Sequence, residues 1–222
     1  TNQQLSDITV KYLQSIIYFN HQFNPKIDEL TFEAVYTNLF QPYLQTAKEY
    51  ITDANHQNWS LNPNTIDYDN RTTRNDGRIK LNYSYKFNDK SKFESGIQIN
   101  LAYRNFDYLF KTFDWNTNQW FNDPTYTNKF DFRNNIYAAF ATYSNSLEAL
   151  ELDYQLGLRA EQTDRLLQQI TLNKDYAYNR VHLFPSVNLL KKIDQAQQLQ
   201  FSYSRRINRP FEGALNPFPN YS

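Results

Sequence analysis

An all-β antiparallel meander of about nine long strands is the fold that the sequence predicts, on three observations. Apolar and polar residues alternate with period two in many separate segments. No apolar run approaches the ~20 residues that a membrane helix needs, the longest bulky stretch being Ile16 to Phe19. Short polar turns alternate with long linkers along the chain.

The first segments alternate weakly, and strands are expected over Ile8 to Phe19, Leu30 to Phe40 and Tyr43 to Ile51. Gln41 to Asp53 also suits a short helix, because Ala47, Lys48 and Glu49 favour one, but the strand reading is preferred. The pattern becomes clear at Ile79, Leu81, Tyr83, Tyr85 and Phe87, with Lys80, Asn82, Ser84 and Lys86 between them. Phe93, Ile97, Ile99, Leu101 and Tyr103 follow, opposed by Glu94, Gln98, Asn100 and Arg104. Phe130, Phe132, Ile136, Ala138 and Phe140 form the next apolar set, interleaved with Asp131 and Arg133. Leu150 to Leu158 alternates with Glu151, Asp153, Gln155 and Arg159. Tyr178 to Leu190 is a weaker candidate, and Leu199, Phe201 and Tyr203 close the series. Tight turns are expected at Asn88 to Ser91, Ser144 to Ser146 and Ile193 to Gln195, and long loops at Asn55 to Thr73, Thr112 to Thr127 and Asp164 to Ala177.

Composition narrows the function classes. The 222 residues carry 23 basic and 23 acidic side chains, so the chain lacks the positive field that drives binding to nucleic acid. There is no Cys, which removes disulfides, thiolate metal sites and thiol nucleophiles. Aromatic residues make up 17% of the chain while apolar residues make up only 40%. Neither a disordered tail nor a helical membrane protein has that balance. With no Met and no leader pattern at Thr1 to Val10, the chain reads as a piece of a longer precursor.

Alternation alone does not say which face is wet. A soluble β-sandwich turns its apolar face inward and a membrane barrel turns it outward. The rings at Tyr83, Tyr85 and Phe87 before one turn, and at Phe106, Tyr108 and Phe110 before one long loop, favour the barrel, since amphipathic rings settle at the lipid headgroup level. The opposed faces carry rows of Lys, Glu, Asp and Arg, as a water-lined barrel interior requires.

Three motifs then point to a family. Tyr154 to Asp164 reads YQLGLRAEQTD, Leu183 to Val187 reads LFPSV, and Phe201 to Phe218 reads FSYSRRINRPFEGALNPF. In this order they resemble the β-barrel part of TonB-dependent outer-membrane receptors of the Bacteroidetes type. FDFRNNIYAAFATYS at Phe130 to Ser144 fits the preceding strand of such receptors, with Asn135 where an acidic residue is common. The likeness runs from about Lys80 onward; the earlier part matches only in composition.

The resemblance implies a large barrel of about 22 strands in the outer membrane, filled by a plug and energised by TonB, that imports a siderophore, vitamin, glycan or peptide. Residues 1–222 would be a partial wall of that barrel, without the plug and the closing strands. Its partners would be outer-membrane lipid, the TonB complex acting through the plug, and the nutrient. The alternatives are a soluble extracellular protein that binds glycans through Trp-bearing loops, and a structural outer-membrane barrel without transport.

Candidate ligand contacts are the residues of the long loops suited to stacking and hydrogen bonding, namely Trp59, Trp115, Trp120, Asp123 and Tyr176. Arg159, Glu161 and Arg206 are candidates for the wet face. No catalytic constellation is expected. His21, His56 and His182 are scattered, Ser202 and Ser204 lack a neighbouring His, and no glycine-rich phosphate loop occurs. Asp67 and Asp69 have the oxygens for a cation but not a recognised spacing. Arg205, Arg206 and Arg209 form a basic cluster for which pairing with carboxylates on adjacent strands is the preferred reading. An enzyme, a cofactor and a metal are therefore not expected.

Overall fold

The computed structural model describes residues 2–55, 60–210 and 212–216. In chain order the strands are β1 (Asn2–Ile8), β2 (Lys11–Asn24), β3 (Asp28–Glu49), β4 (Asn64–Lys86), β5 (Lys92–Asp114), β6 (Gln119–Asn122), β7 (Asn128–Leu147), β8 (Leu152–Gln169), β9 (Lys174–Lys192) and β10 (Gln198–Ser204), followed by a four-residue helix α1 (Glu212–Leu215). All pairings are antiparallel and form one sheet in the order β1-β3-β4-β5-β7-β8-β9-β10. β2 continues the β1 edge along β3, and β6 continues the β7 edge along β5. Among the described residues the sheet keeps two edges, β1 with β2 on one side and β10 on the other.

Two prolines explain where pairing stops. Pro42 lies inside β3, opposite the gap between β1 and β2, where the Thr9 N–H donates to the Pro42 carbonyl at 3.3 Å. The reciprocal bond needs a proline N–H that does not exist, so the edge ladder breaks into two strands there. Pro185 repeats the device in β9. The Arg205 N–H donates to its carbonyl at 3.2 Å, nothing is returned, and β10 ends at Ser204. Residues 205–216 leave the sheet at that point and fold over one face, termed the inner face: Arg209 reaches Glu161, Asn216 bonds Gln169 and Leu215 packs on Phe106, Phe130, Phe132 and Leu167.

Several expectations are corrected. The two strands expected over Leu30 to Ile51 are the single β3, because the polar and apolar residues around Pro42 remain paired with β4 throughout. The expected linker Asp164 to Ala177 is mostly strand, closed by a turn over 170–173 in which Asn173 takes φ 52. The turn expected at Ser144 to Ser146 falls instead at a 3-10 turn, Glu148–Leu150, with Glu151 in the left-handed region at φ 51. β4 and β5 also run further into the expected loops, to Asn64 and Asp114.

The largest correction concerns β7. Phe130, Phe132, Ile136, Ala138 and Phe140 were expected on the same greasy face as Leu81 and Leu101. Register puts them on the inner face instead, since Ala138 is paired with Gln98 and Glu161, and Gln98 with Lys80. Asp131 and Arg133 accordingly lie on the outer face. Phe106, Tyr108 and Phe110 are likewise on the inner face, one residue out of phase with Phe93 to Tyr103. In both strands the apolar face changes side partway along.

The outer face decides between sandwich and barrel. Near the short turns it carries Ile79 and Leu81 on β4, Ile97, Ile99 and Leu101 on β5, Leu156 and Leu158 on β8, and Leu199 and Phe201 on β10. No described residue covers this surface: Leu101 is 41%, Leu156 46% and Phe201 55% exposed. Among the described residues only Phe106, Phe130, Phe132, Ala138 and Leu167 are buried hydrophobics, too few to form the dry centre of a sandwich.

Candidate functional site

The sheet is built in two tiers. In the tier nearest the short turns the outer face is apolar and bounded by rings. Tyr85, Phe87, Tyr143 and Tyr154 form a chain of ring contacts with centroids 4.9, 6.3 and 6.1 Å apart along the lower border. Along the upper border Tyr36 donates its hydroxyl to Asn75 at 2.9 Å, and Tyr103 donates to Asp131 at 3.1 Å. These phenols present rings to the greasy belt and hydroxyls to the polar collar above it. Ten residue steps separate Phe93 from Tyr103, ~33 Å of strand or ~25 Å in height at barrel tilt, the thickness of the apolar band of outer-membrane barrels. β4 and β5 are 23 residues long, more than twice the ~9–11 needed to cross, so their upper parts project beyond the belt.

Behind the belt the inner face is wet. Arg78 pairs with Glu33 at 2.7 Å, Arg104 with Asp76 at 3.5 Å and Arg159 with Glu161 at 2.6 Å, while Glu161 also meets Arg209. Gln98, Asn100, Asn82 and Thr31 complete a polar lining. Arg159 and Glu161 lie here, and Gly96 lets the lining close up, since a Cβ there would stand 2.9 Å from the Phe140 ring.

In the upper tier the faces exchange character. The outer face becomes a charged collar, with Arg71 paired to Asp69 along β4 at 2.8 Å and, across strands, Lys129 to Asp107 at 2.9 Å and Arg133 to Asp164 at 3.5 Å. The inner face becomes aromatic. Phe106 stacks on Phe130 at 4.4 Å, Tyr68 stacks on Tyr108 at 6.4 Å, and Tyr68 meets Tyr43 edge-on at 6.1 Å. The Arg165 guanidinium lies 5.9 Å from the Phe132 ring and 5.8 Å from the Tyr178 ring, and Tyr178 is hydrogen bonded to His182 at 2.9 Å. Burial, reinforced by Tyr43, raises the Tyr68 phenol above its ordinary value, so it remains a neutral donor.

The predicted contacts are distributed through this frame. Trp115, at the β5–β6 turn, donates to the Pro63 carbonyl at 2.7 Å, and Phe113 lies edge-on to both Trp115 and Trp120. The three rings tie the hairpin to the β3–β4 connection. The Asp123 carboxylate receives the Thr125 N–H at 2.8 Å and thereby closes a turn. Tyr176 is in β9, opposite Leu167 on the inner face, rather than in a loop. Arg206 is exposed in the coil after β10, and Trp59 lies outside the described residues. Asp69 is committed to Arg71, and Asp67 accepts from Thr46 at 3.2 Å. Phe106, Phe130 and Arg165 were missed as site residues. The shift of rings from odd to even positions after Tyr103 was the signal that could have found them.

A lipid-facing belt bordered by two rows of rings, backed by an ion-paired wet face, defines a transmembrane antiparallel wall of the barrel class. The model of the outer membrane protein beta-barrel family matches residues 21–222, and the chain belongs to that family. Its place is the outer membrane, in contact with lipid. No curated protein matches the chain.

Proposed function

We propose that this chain is part of the wall of a TonB-dependent outer-membrane receptor that imports a scarce nutrient, a siderophore, vitamin, glycan or peptide. The observation that carries the reading is the two-tier inner face, an ion-paired polar lining beneath an aromatic band. A solute arriving from the loop end meets stacking surfaces first and hydrogen-bonding groups next, the arrangement needed to capture it and then pass it on. The motifs YQLGLRAEQTD, LFPSV and FSYSRRINRPFEGALNPF support the same reading. In this reading the short turns face the periplasm, a plug and further strands complete the barrel, TonB drives the step, and no covalent chemistry is involved.

Growth of a deletion strain on a panel of iron sources, vitamins, glycans and peptides tests it. Loss of growth on one class, reproduced by inactivating TonB, is the expected result. Unimpaired growth on every class would instead favour a structural barrel.

A further inference from the structure

We propose that three rings at the tip of the β5–β6 hairpin form a docking platform for the saccharide chains of the outer-leaflet glycolipid that surrounds the protein. This rests on the import reading only for the direction in which the hairpin points.

Register places the platform. Phe113 and Trp120 are cross-strand partners, and the β5–β6 pairing runs from Lys111 to Asp114 without a shift. Phe113 has the same parity on β5 as Leu101 and Asp107, so both rings lie on the outer face. They are turned away from the inner wall along which a nutrient would pass. Trp115 joins them, with the Phe113 ring 4.8 Å from Trp115 and 5.2 Å from Trp120. The two indoles are 40% and 44% exposed, whereas the buried cluster of Phe106, Phe130, Phe132 and Leu167 occupies the opposite face.

Height decides what these rings meet. Phe113 stands ten residue steps above Tyr103 at the upper border of the belt, ~33 Å of strand or ~25 Å in height at barrel tilt. With the short turns in the periplasm, the rings clear the acyl chains and the headgroups and stand in the layer filled by the sugars of the outer leaflet.

The chemistry suits such chains. A pyranose presents a face of C–H bonds that lies flat on an aromatic ring and an edge of hydroxyls that needs donors and acceptors. Beside the rings, on the same face, are Asn122, Lys111 and Asp67, an amide, a cation and a carboxylate. These opposite charges leave no net field to select an anion. The rings are also set in advance. The Trp115 Nε1–H donates to the Pro63 carbonyl at 2.7 Å, and Asp114 closes the turn by accepting from the Asn116 N–H at 2.8 Å and the Thr117 hydroxyl at 3.1 Å. Rings already held in place lose little freedom on binding. Three half-exposed rings offer less than the ~800 Å² per partner of a stable protein interface, which favours a saccharide over a protein.

The test is saturation-transfer NMR on the intact protein in detergent, with the lipid-free polysaccharide released by mild acid from the lipopolysaccharide of the producing strain, and with dextran for comparison. The polysaccharide binds, added NaCl does not weaken it, and dextran binds more weakly. Trp120→Ala raises the half-saturating concentration about tenfold, Trp115→Phe, which keeps a ring and loses the N–H, raises it severalfold, and Arg133→Gln on the collar leaves it unchanged. Heat-modifiable migration identifies the variants that remain folded. On intact cells, Thr117→Cys at the hairpin tip reacts with a membrane-impermeant maleimide. The proposal is overturned if the polysaccharide does not bind, if dextran binds as tightly, if folded Trp120→Ala binds as the parent does or loses a co-purifying protein instead, or if Thr117→Cys is shielded on intact cells. Binding to purified protein needs neither TonB nor transport, so it stands or falls separately from uptake.

Discussion

The two tiers of the sheet use the same backbone for opposite purposes. Below Tyr103 on β5 the outward positions are Phe93, Ile97, Ile99 and Leu101 and the inward ones Glu94, Gln98 and Asn100. Above it the outward positions are mostly polar, Asn105, Asp107 and Lys111 with Leu109 between them, and the inward ones are Phe106, Tyr108 and Phe110. No bulge separates the tiers, because the β4–β5 register runs unbroken from Ile66 to Lys86. The solvent changes instead. Where lipid lies outside, apolar side chains face outward. Where water lies outside, they turn inward and build a small aromatic core covered by Leu215. A strand that crosses an interface therefore needs no structural defect to exchange its faces. It needs only a change of residue type on each side of the crossing.

The largest expected effect falls on the upper core. Phe130 is 2% exposed and stacked on Phe106, so Phe130→Ala should cost ~3–5 kcal/mol, read from the midpoint of denaturant unfolding in detergent or lipid. An unchanged midpoint would mean that the upper tier has no core of its own. Next is a charge test across the tiers on one face of one strand. Ile97→Arg in the belt should cost ~2–4 kcal/mol, whereas Leu109→Arg in the collar should cost under ~1 kcal/mol. Equal costs would dissolve the distinction between a lipid belt and a wet collar.

Glu161→Gln comes third. It weakens the carboxylate that holds Arg159 and Arg209, at about 1–2 kcal/mol given that both arginines are partly exposed. Freeing the folded-over segment should speed tryptic cleavage at Arg205 and Arg206 severalfold; unchanged cleavage would show that Leu215 and Asn216 hold it unaided. The smallest effect is Tyr103→Phe, which keeps the ring in the girdle and removes only the bond to Asp131, about 0.5–1.5 kcal/mol by the same unfolding measurement.

Much of the fold was legible because strand alternation is a local property. Ile79 to Phe87 and Phe93 to Tyr103 announce strands and one greasy face without any knowledge of neighbours. The polar upper strands were not legible as strands. Asp164 to Gln168 and Arg71 to Asn75 look like linkers because their outward positions face water and their inward ones are mixed. The site was legible only in part: Arg159 and Glu161 stand out on an alternating strand, but Tyr176 reads as a loop residue until its pairing with Leu167 is known.

What the amino-acid order determined by itself was the antiparallel meander, its greasy belt, and the motifs that carry the family likeness. Those depend on residues one, two or a few positions apart. Only the tertiary structure decided which side each run faces and which charges meet. In β7 both parities are apolar over Ile136 to Phe140, so periodicity is silent about its orientation. The pairing of Ala138 with Gln98 and Glu161 settles it, because a slip of one residue would carry Phe130 and Phe132 to the opposite face. Pro42 and Pro185 mark the same divide. Each is visible in the sequence as a missing donor, yet which ladder it breaks depends on the neighbouring strand against which that donor would have pointed.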